Sequence, residues 1–224
     1  MSPPIEIETG PEPRAAVIVL HGLGADGSDF EPIARMIDLS PVGPVRWVLP
    51  SAPMRPVTAN GGYVMRAWYD ILGFGGRSPE DEAGLRASRD RIDALLERER
   101  ARGIPSRRTV LAGFSQGCAM ALLTGLRHPE PLAGIVGLSG YLPLADATEA
   151  ERSEANRRTP VLLAHGSADP VVSIERGRAA RDRLRALGQP VDWLDYPIEH
   201  TVSLPEVEDV GRWLLERIGA GEGA

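Results

Sequence analysis

The stretch Thr109–Gly117, Thr-Val-Leu-Ala-Gly-Phe-Ser-Gln-Gly, leaves the fewest options open. Val110, Leu111 and Ala112 read as a buried strand, and Cys118-Ala119-Met120-Ala121-Leu122-Leu123 reads as a helix. Between them lies Gly113-Phe114-Ser115-Gln116-Gly117. A strand that turns directly into a helix through Gly-x-Ser-x-Gly holds its serine on a sharp bend, exposed beyond the strand's end. The flanking glycines leave room where neighbouring β-carbons would collide. Such a motif matters only if the rest of the chain supplies a base, an acid and donors for an oxyanion.

The same strand-then-helix rhythm recurs along the chain. Ala15–Leu20, Val45–Leu49, Ala133–Leu138, Val161–Ala164 and Val191–Leu194 are apolar runs, as strands buried on both faces must be. Between and after them lie helical stretches: Phe30–Ile37, one opened by Ser78 as N-cap with Pro79 at the first position and ended by Gly103 and Pro105, Ser173–Leu187, and a final helix opened by the capping box Ser203-Leu204-Pro205-Glu206. Alternation of this kind predicts an α/β domain with a mostly parallel central sheet and helices on both faces. Ligands in such sheets bind beyond the carboxyl ends of the strands, where the glycine-rich loops fall. One domain over residues 1–224 is expected, with 1–12 and 219–224 loosely ordered, although Ile5 and Ile7 alternate with glutamates as a short edge strand would. Residues 51–78 read as a long irregular connection holding Met54, Tyr63, Met65, Trp68, Tyr69 and Phe74, and 145–160 as a polar loop.

Charge and composition remove several function classes. The net charge of −6 offers no basic stripe to nucleic acid. No run approaches the roughly 20 apolar residues of a membrane span. A single cysteine, Cys118, and a first segment without signal-peptide character make a cytoplasmic location the expectation. The four histidines are dispersed, so neither a metal site nor another cofactor is expected. Gly22-Leu23-Gly24-Ala25-Asp26-Gly27 matches the dinucleotide-binding spacing, but no acidic residue follows the next strand at the required place. The loop reads better as a provider of backbone N–H groups, that of Leu23 foremost.

Only His128, His165 and His200 follow Ser115. His128 ends the helix that begins after Ser115, roughly 18 Å away at 1.5 Å per residue. His165 closes a strand before glycine and suits a structural hydrogen bond. His200, in the loop after the last strand, is therefore the candidate base. Asp169, a few residues past its strand, is the candidate acid; Asp195 and Glu199 lie too close to His200 in sequence, and Asp146 sits on the polar loop. Ser139 and Ser167 also neighbour glycine, but neither opens a helix. A carboxylate, an imidazole and a hydroxyl in this relation are the parts of a serine hydrolase.

Taken in order, Leu20-His21-Gly22-Leu23-Gly24, Pro50-Ser51-Ala52-Pro53, Trp68-Tyr69-Asp70, Gly113–Gly117, Leu138–Pro143, His165-Gly166-x-x-Asp169-x-Val171-Val172 and Tyr196-x-x-x-His200 resemble the phospholipase/carboxylesterase family of small α/β hydrolases, over about Ala15–Leu215. The resemblance implies a catalytic triad of Ser115, Asp169 and His200, an oxyanion hole from the N–H groups of Leu23 and Gln116, and no separate cap domain. It implies hydrolysis of small-molecule carboxylic esters, with thioesterase or lysophospholipase activity as alternatives. Ile198-Glu199 before His200 departs from the family's usual pattern. Met65, Trp68, Tyr69, Leu72 and Leu142 are candidates for an apolar acyl-binding wall, and without a cap short to medium acyl chains are expected. Gln116 is expected to matter for its N–H, its side chain being replaceable. A non-catalytic binding scaffold would show a broken triad, and none of the three is missing. A homodimer is compatible with the resemblance but is not written in any stretch named above.

Overall fold

The computed structural model of the chain describes residues 3–73 and 79–219. Its strands and helices follow in the order β1 (Ile5–Glu8), β2 (Ala15–Leu20), α1 (Glu31–Met36), β3 (Val45–Leu49), β4 (Met54–Val57), β5 (Tyr63–Arg66), α2 (Glu82–Ala101), β6 (Thr109–Phe114), α3 (Gln116–Arg127), β7 (Gly134–Leu138), α4 (Thr148–Glu151), β8 (Val161–Gly166), α5 (Ile174–Ala186), β9 (Val191–Tyr196) and α6 (Leu204–Gly219). Seven strands form one sheet in the order β1-β3-β2-β6-β7-β8-β9. All neighbours run parallel except β1, which pairs antiparallel with β3. The sheet is the mostly parallel, doubly covered one that the apolar runs predict.

Period-two alternation divides the strand side chains between two cores. Ile18, Leu20 and Leu111 face a layer with Leu85 and Ile92 of α2, Met120 and Leu122 of α3 and Leu184 of α5. Their neighbours Val17, Val19 and Val110 face the opposite layer, with Ala34 of α1 and Val207, Val210, Trp213 and Leu214 of α6. Because both faces are covered, β2, β3, β6, β7 and β8 are buried almost throughout, which is why their sequences run apolar without alternation. Among the described residues there is no separate cap domain.

Local details depart from the sequence expectations at four places. Helix α2 begins at Glu82, because Asp81 is its N-cap: the Oδ1 atom accepts the Gly84 N–H at 2.9 Å while Oδ2 accepts that of Asp70 at 2.8 Å. One carboxylate thus closes the helix and pins the preceding loop, a coupling that local spacing does not reveal; Ser78 and Phe74 lie outside the described residues. The segment read as irregular contains the hairpin β4–β5, paired from Met54↔Arg66 to Val57↔Tyr63. Its Met54, Tyr63 and Val64 side chains are exposed, so it lacks the one-sided burial that marks a strand in sequence. The polar stretch 145–160 folds into α4 and a 3₁₀ turn at Glu154–Asn156. Finally, β1 is held in register within the stretch expected to be loose. Arg98 of α2 and Arg102 just past its end reach its Glu6, and the Arg46 guanidinium of β3 bridges Glu8 to Glu99. The Ser203–Glu206 capping box forms as expected, each residue's backbone N–H meeting the other's side-chain oxygen.

Candidate active site

Ser115 sits at the junction of β6 and α3 with φ 56° and ψ −115°, a backbone conformation that costs an L-residue energy and is sustained only by its surroundings. Two of those surroundings are the flanking glycines. A β-carbon on Gly113 would strike the Gly117 carbonyl, and one on Gly117 would strike the Leu20 carbonyl of β2. The Ser115 N–H donates to the Leu138 carbonyl at 2.8 Å, and its own carbonyl accepts the Ala119 N–H at 3.2 Å. The bend is therefore clamped between β2, β7 and the first turn of α3.

From the far side of the sheet, the loops after β8 and β9 bring two more side chains to it. His200 Nδ1 is 2.6 Å from Asp169 Oδ2, and His200 Nε2 is 2.9 Å from Ser115 Oγ. A carboxylate only accepts, so Nδ1 carries the proton and Nε2 is left as an acceptor for the serine hydroxyl. Asp169 is buried, and its second oxygen accepts the N–H groups of Val171 and Val172 at 2.8 and 2.9 Å. The two loops are laced together where Ser167 and Ala168 donate to the carbonyls of Tyr196 and Ile198. Phe114 backs the His200 ring, with centroids 4.8 Å apart. His165 does what its position suggested: its Nε2–H meets the Val172 carbonyl at 2.8 Å and braces the Asp169 loop. His128 is bonded instead to Asp93 of α2.

The loop after β2 is organised by a side chain whose role no local pattern announces. His21 is fully buried; its Nε2 accepts the Ala52 N–H at 2.9 Å, so Nδ1 carries the proton and donates to the Gly22 carbonyl at 2.6 Å. Burial holds this imidazole below the usual histidine range, which keeps it neutral. Gly22 C=O and Leu23 N–H share one planar trans peptide, so a tie on the carbonyl orients the N–H on the opposite edge. The Gln116 N–H, in the first turn of α3, has no intrahelical acceptor. The Gln116 side chain is not spare. It is buried, its Oε1 accepts the Trp68 N–H at 2.7 Å, and its Nε2 donates to the Tyr69 carbonyl at 2.8 Å. A buried Gln at the first helical position, facing two backbone groups of a distant loop, is the signal that spacing alone lacked.

Leu23, Ser115, Gln116 and His200 open onto a cavity of about 600 Å³, a volume in the range of small-molecule sites. Tyr69 and Leu72 line it, as do Phe30, Ile33 and Val171. Met65 and Trp68 are not part of its lining. Trp68 is fully buried, with its indole N–H on the His21 carbonyl at 2.9 Å, so it supports the wall from behind. Leu142 lines a neighbouring cavity. Among the described residues no group of His, Cys, Asp or Glu is arranged to hold a metal ion. Cys118 is buried in α3, and burial pushes its thiol up to about 12, far from a reactive thiolate.

Fold and site together define an α/β hydrolase. The chain belongs to the phospholipase/carboxylesterase family, whose model matches residues 4–217. It is 36% identical to acyl-protein thioesterase 1 of Yarrowia lipolytica, over 96% of this chain and 97% of that protein. It is 34% identical to carboxylesterase SOBER1 of Arabidopsis thaliana, over 92% and 91%. The crystal structure of SOBER1 superposes with a TM-score of 0.87 at 33% identity, covering 92% of this chain and 99% of that one. Acyl-protein thioesterase 2 of Zea mays superposes with a TM-score of 0.85 at 31% identity, over 96% and 99%. No described helix is long and apolar enough to cross a membrane.

Proposed function

We propose that the protein hydrolyses carboxylic esters of short to medium acyl chains through an acyl-enzyme on Ser115. The observation that carries this reading is the unbroken hydrogen-bonded line Asp169–His200–Ser115 at the wall of an open cavity. Ser115 Oγ attacks the ester carbonyl while His200 Nε2 takes its proton. Negative charge develops on the former carbonyl oxygen and is met by the Leu23 and Gln116 N–H groups. The imidazolium, stabilised by Asp169, returns the proton to the departing alcohol, leaving an ester between Ser115 and the acyl group. Water, deprotonated by His200, repeats the sequence and releases the carboxylic acid.

Ser115→Ala is expected to lower kcat for p-nitrophenyl butyrate at least about 10⁴-fold with the circular dichroism spectrum unchanged. Activity within tenfold of wild type would overturn the assignment. A second reading, thioesterase activity, is favoured by the 36% identity to an acyl-protein thioesterase over nearly the full chain. Rates on an oxygen ester and a thioester with the same acyl chain separate the two.

A further inference from the structure

Beyond the cavity at Ser115 lies a second one of about 500 Å³, and the two share Tyr141, Arg176 and Glu80 in their linings. The second is lined by Leu142, Leu144, Ala145, Ala147, Ala179 and Ala180, apolar side chains that suit methylene groups, and also by the charged Glu82, Asp146 and Arg183. What separates the cavities is therefore a thin wall of side chains. Tyr141 stands between them, tied on one side by its hydroxyl to that of Tyr69 at 2.7 Å. On its other face lies the Arg176 guanidinium, 3.7 Å from the ring centroid, projecting from the first turn of α5. Among the described residues no carboxylate lies within ion-pair distance of Arg176, and its side chain rests against Tyr141.

We propose that Tyr141 and Arg176 form a partition that sets the longest acyl chain the protein accepts, the second cavity being an extension of the acyl site that this wall keeps apart. The proposal rests on the esterase reading above. Glu80 stays at the edge of the wall, its carboxylate accepting the Leu144 N–H at 3.0 Å, and is bound to the loop rather than to Arg176. The wall is made by two side-chain contacts rather than by backbone, so side-chain changes suffice to open it. Leu142, on the far side, then touches substrate only when the wall is open.

The test is a series of p-nitrophenyl esters from acetate to palmitate, read as the ratio of kcat/KM for the dodecanoate to that for the butyrate. Each further methylene that reaches an apolar surface is worth about fourfold. Opening the wall is therefore expected to raise the ratio tenfold or more in Tyr141→Ala and in the double variant Tyr141→Phe/Arg176→Ala. Adding Ala179→Trp, which fills the second cavity, is expected to bring the ratio back towards wild type. The double variant keeps the ring and decides the matter if Tyr141→Ala does not fold. A ratio within twofold of wild type in the folded variants overturns the partition while leaving the esterase reading intact. A wild-type protein inert to the whole series overturns both.

Discussion

At the residue scale, the site depends on side chains that never touch a substrate. Gln116 presents its N–H to the cavity, and its buried amide clamps Trp68 and Tyr69. Gln116→Ala would leave one buried donor and one buried acceptor unpaired, each costing about 1–3 kcal/mol. Thermal unfolding is expected to show a stability loss of about 2 kcal/mol or more. Ester kinetics are expected to show a raised KM alongside a lowered kcat, because the Tyr69 wall and the helix start move together. A variant with wild-type stability and KM would show that the clamp is incidental. His21 is tied in a similar way to the Gly22 carbonyl, on the peptide that carries the Leu23 N–H. Both roles were invisible in sequence, since a histidine before glycine and a glutamine after serine carry no sign of which distant backbone groups they meet. Ser115, Asp169 and His200 were legible, because chain order, strand ends and the elimination of His128 and His165 narrow the choices without any tertiary knowledge.

Elements, too, are unevenly legible in the sequence. The buried strands and α3, α5 and α6 follow from apolar runs and caps, and their boundaries shift by only a few residues. The hairpin β4–β5 and the start of α2 do not, because exposed side chains and a shared carboxylate leave no periodic trace. Strand β1 is the clearest case of an element made by its neighbours. Glu99 of α2 is fully buried, 2.7 Å from Arg46 and 3.1 Å from both Arg98 and Arg102. Glu99→Ala would leave the buried Arg46 charge with only the more exposed Glu8 as its partner, at a cost of up to about 3–5 kcal/mol. Glu6→Ala, on the exposed rim of the same network, is expected to cost under about 1 kcal/mol. Urea unfolding of the two variants tests this contrast, and equal losses would show that burial is not what gives the network its strength.

For the whole molecule, burial also sets a pH dependence. Glu206 lies in the first turn of α6 with its side chain fully buried, and burial pushes its carboxyl up to about 7. The folded protein therefore retains a proton that the unfolded chain releases near the ordinary glutamate value. Its contribution is present below about pH 4.5 and is lost as pH rises towards 7, by on the order of 3 kcal/mol in full. Glu206→Gln is expected to stabilise the protein at pH 8 and to change little at pH 4.5, as denaturant unfolding at the two pH values would show. His21 and His165, both held below the usual range by burial, act in the opposite direction and weaken the fold as pH falls below about 6.5. Comparing Glu206→Gln with wild type at each pH isolates the glutamate from the histidines.

The sequence by itself determined the layered α/β architecture and the identity of the three residues that meet at the serine. Burial on both faces forces continuous apolar strands, and the sharp turn at Ser115 admits only glycine two residues to either side, so both leave a local imprint. Tertiary structure alone decided which loops are tied together, how the first strand is held and where the cavity ends. Those outcomes depend on pairs of residues far apart in the chain, such as Gln116 with Trp68, Arg46 with Glu99 and Tyr141 with Arg176. Contacts of that kind come into being only when the sheet brings its strand ends together, and a bend such as Gly113–Gly117 says where a serine will stand but not what will surround it.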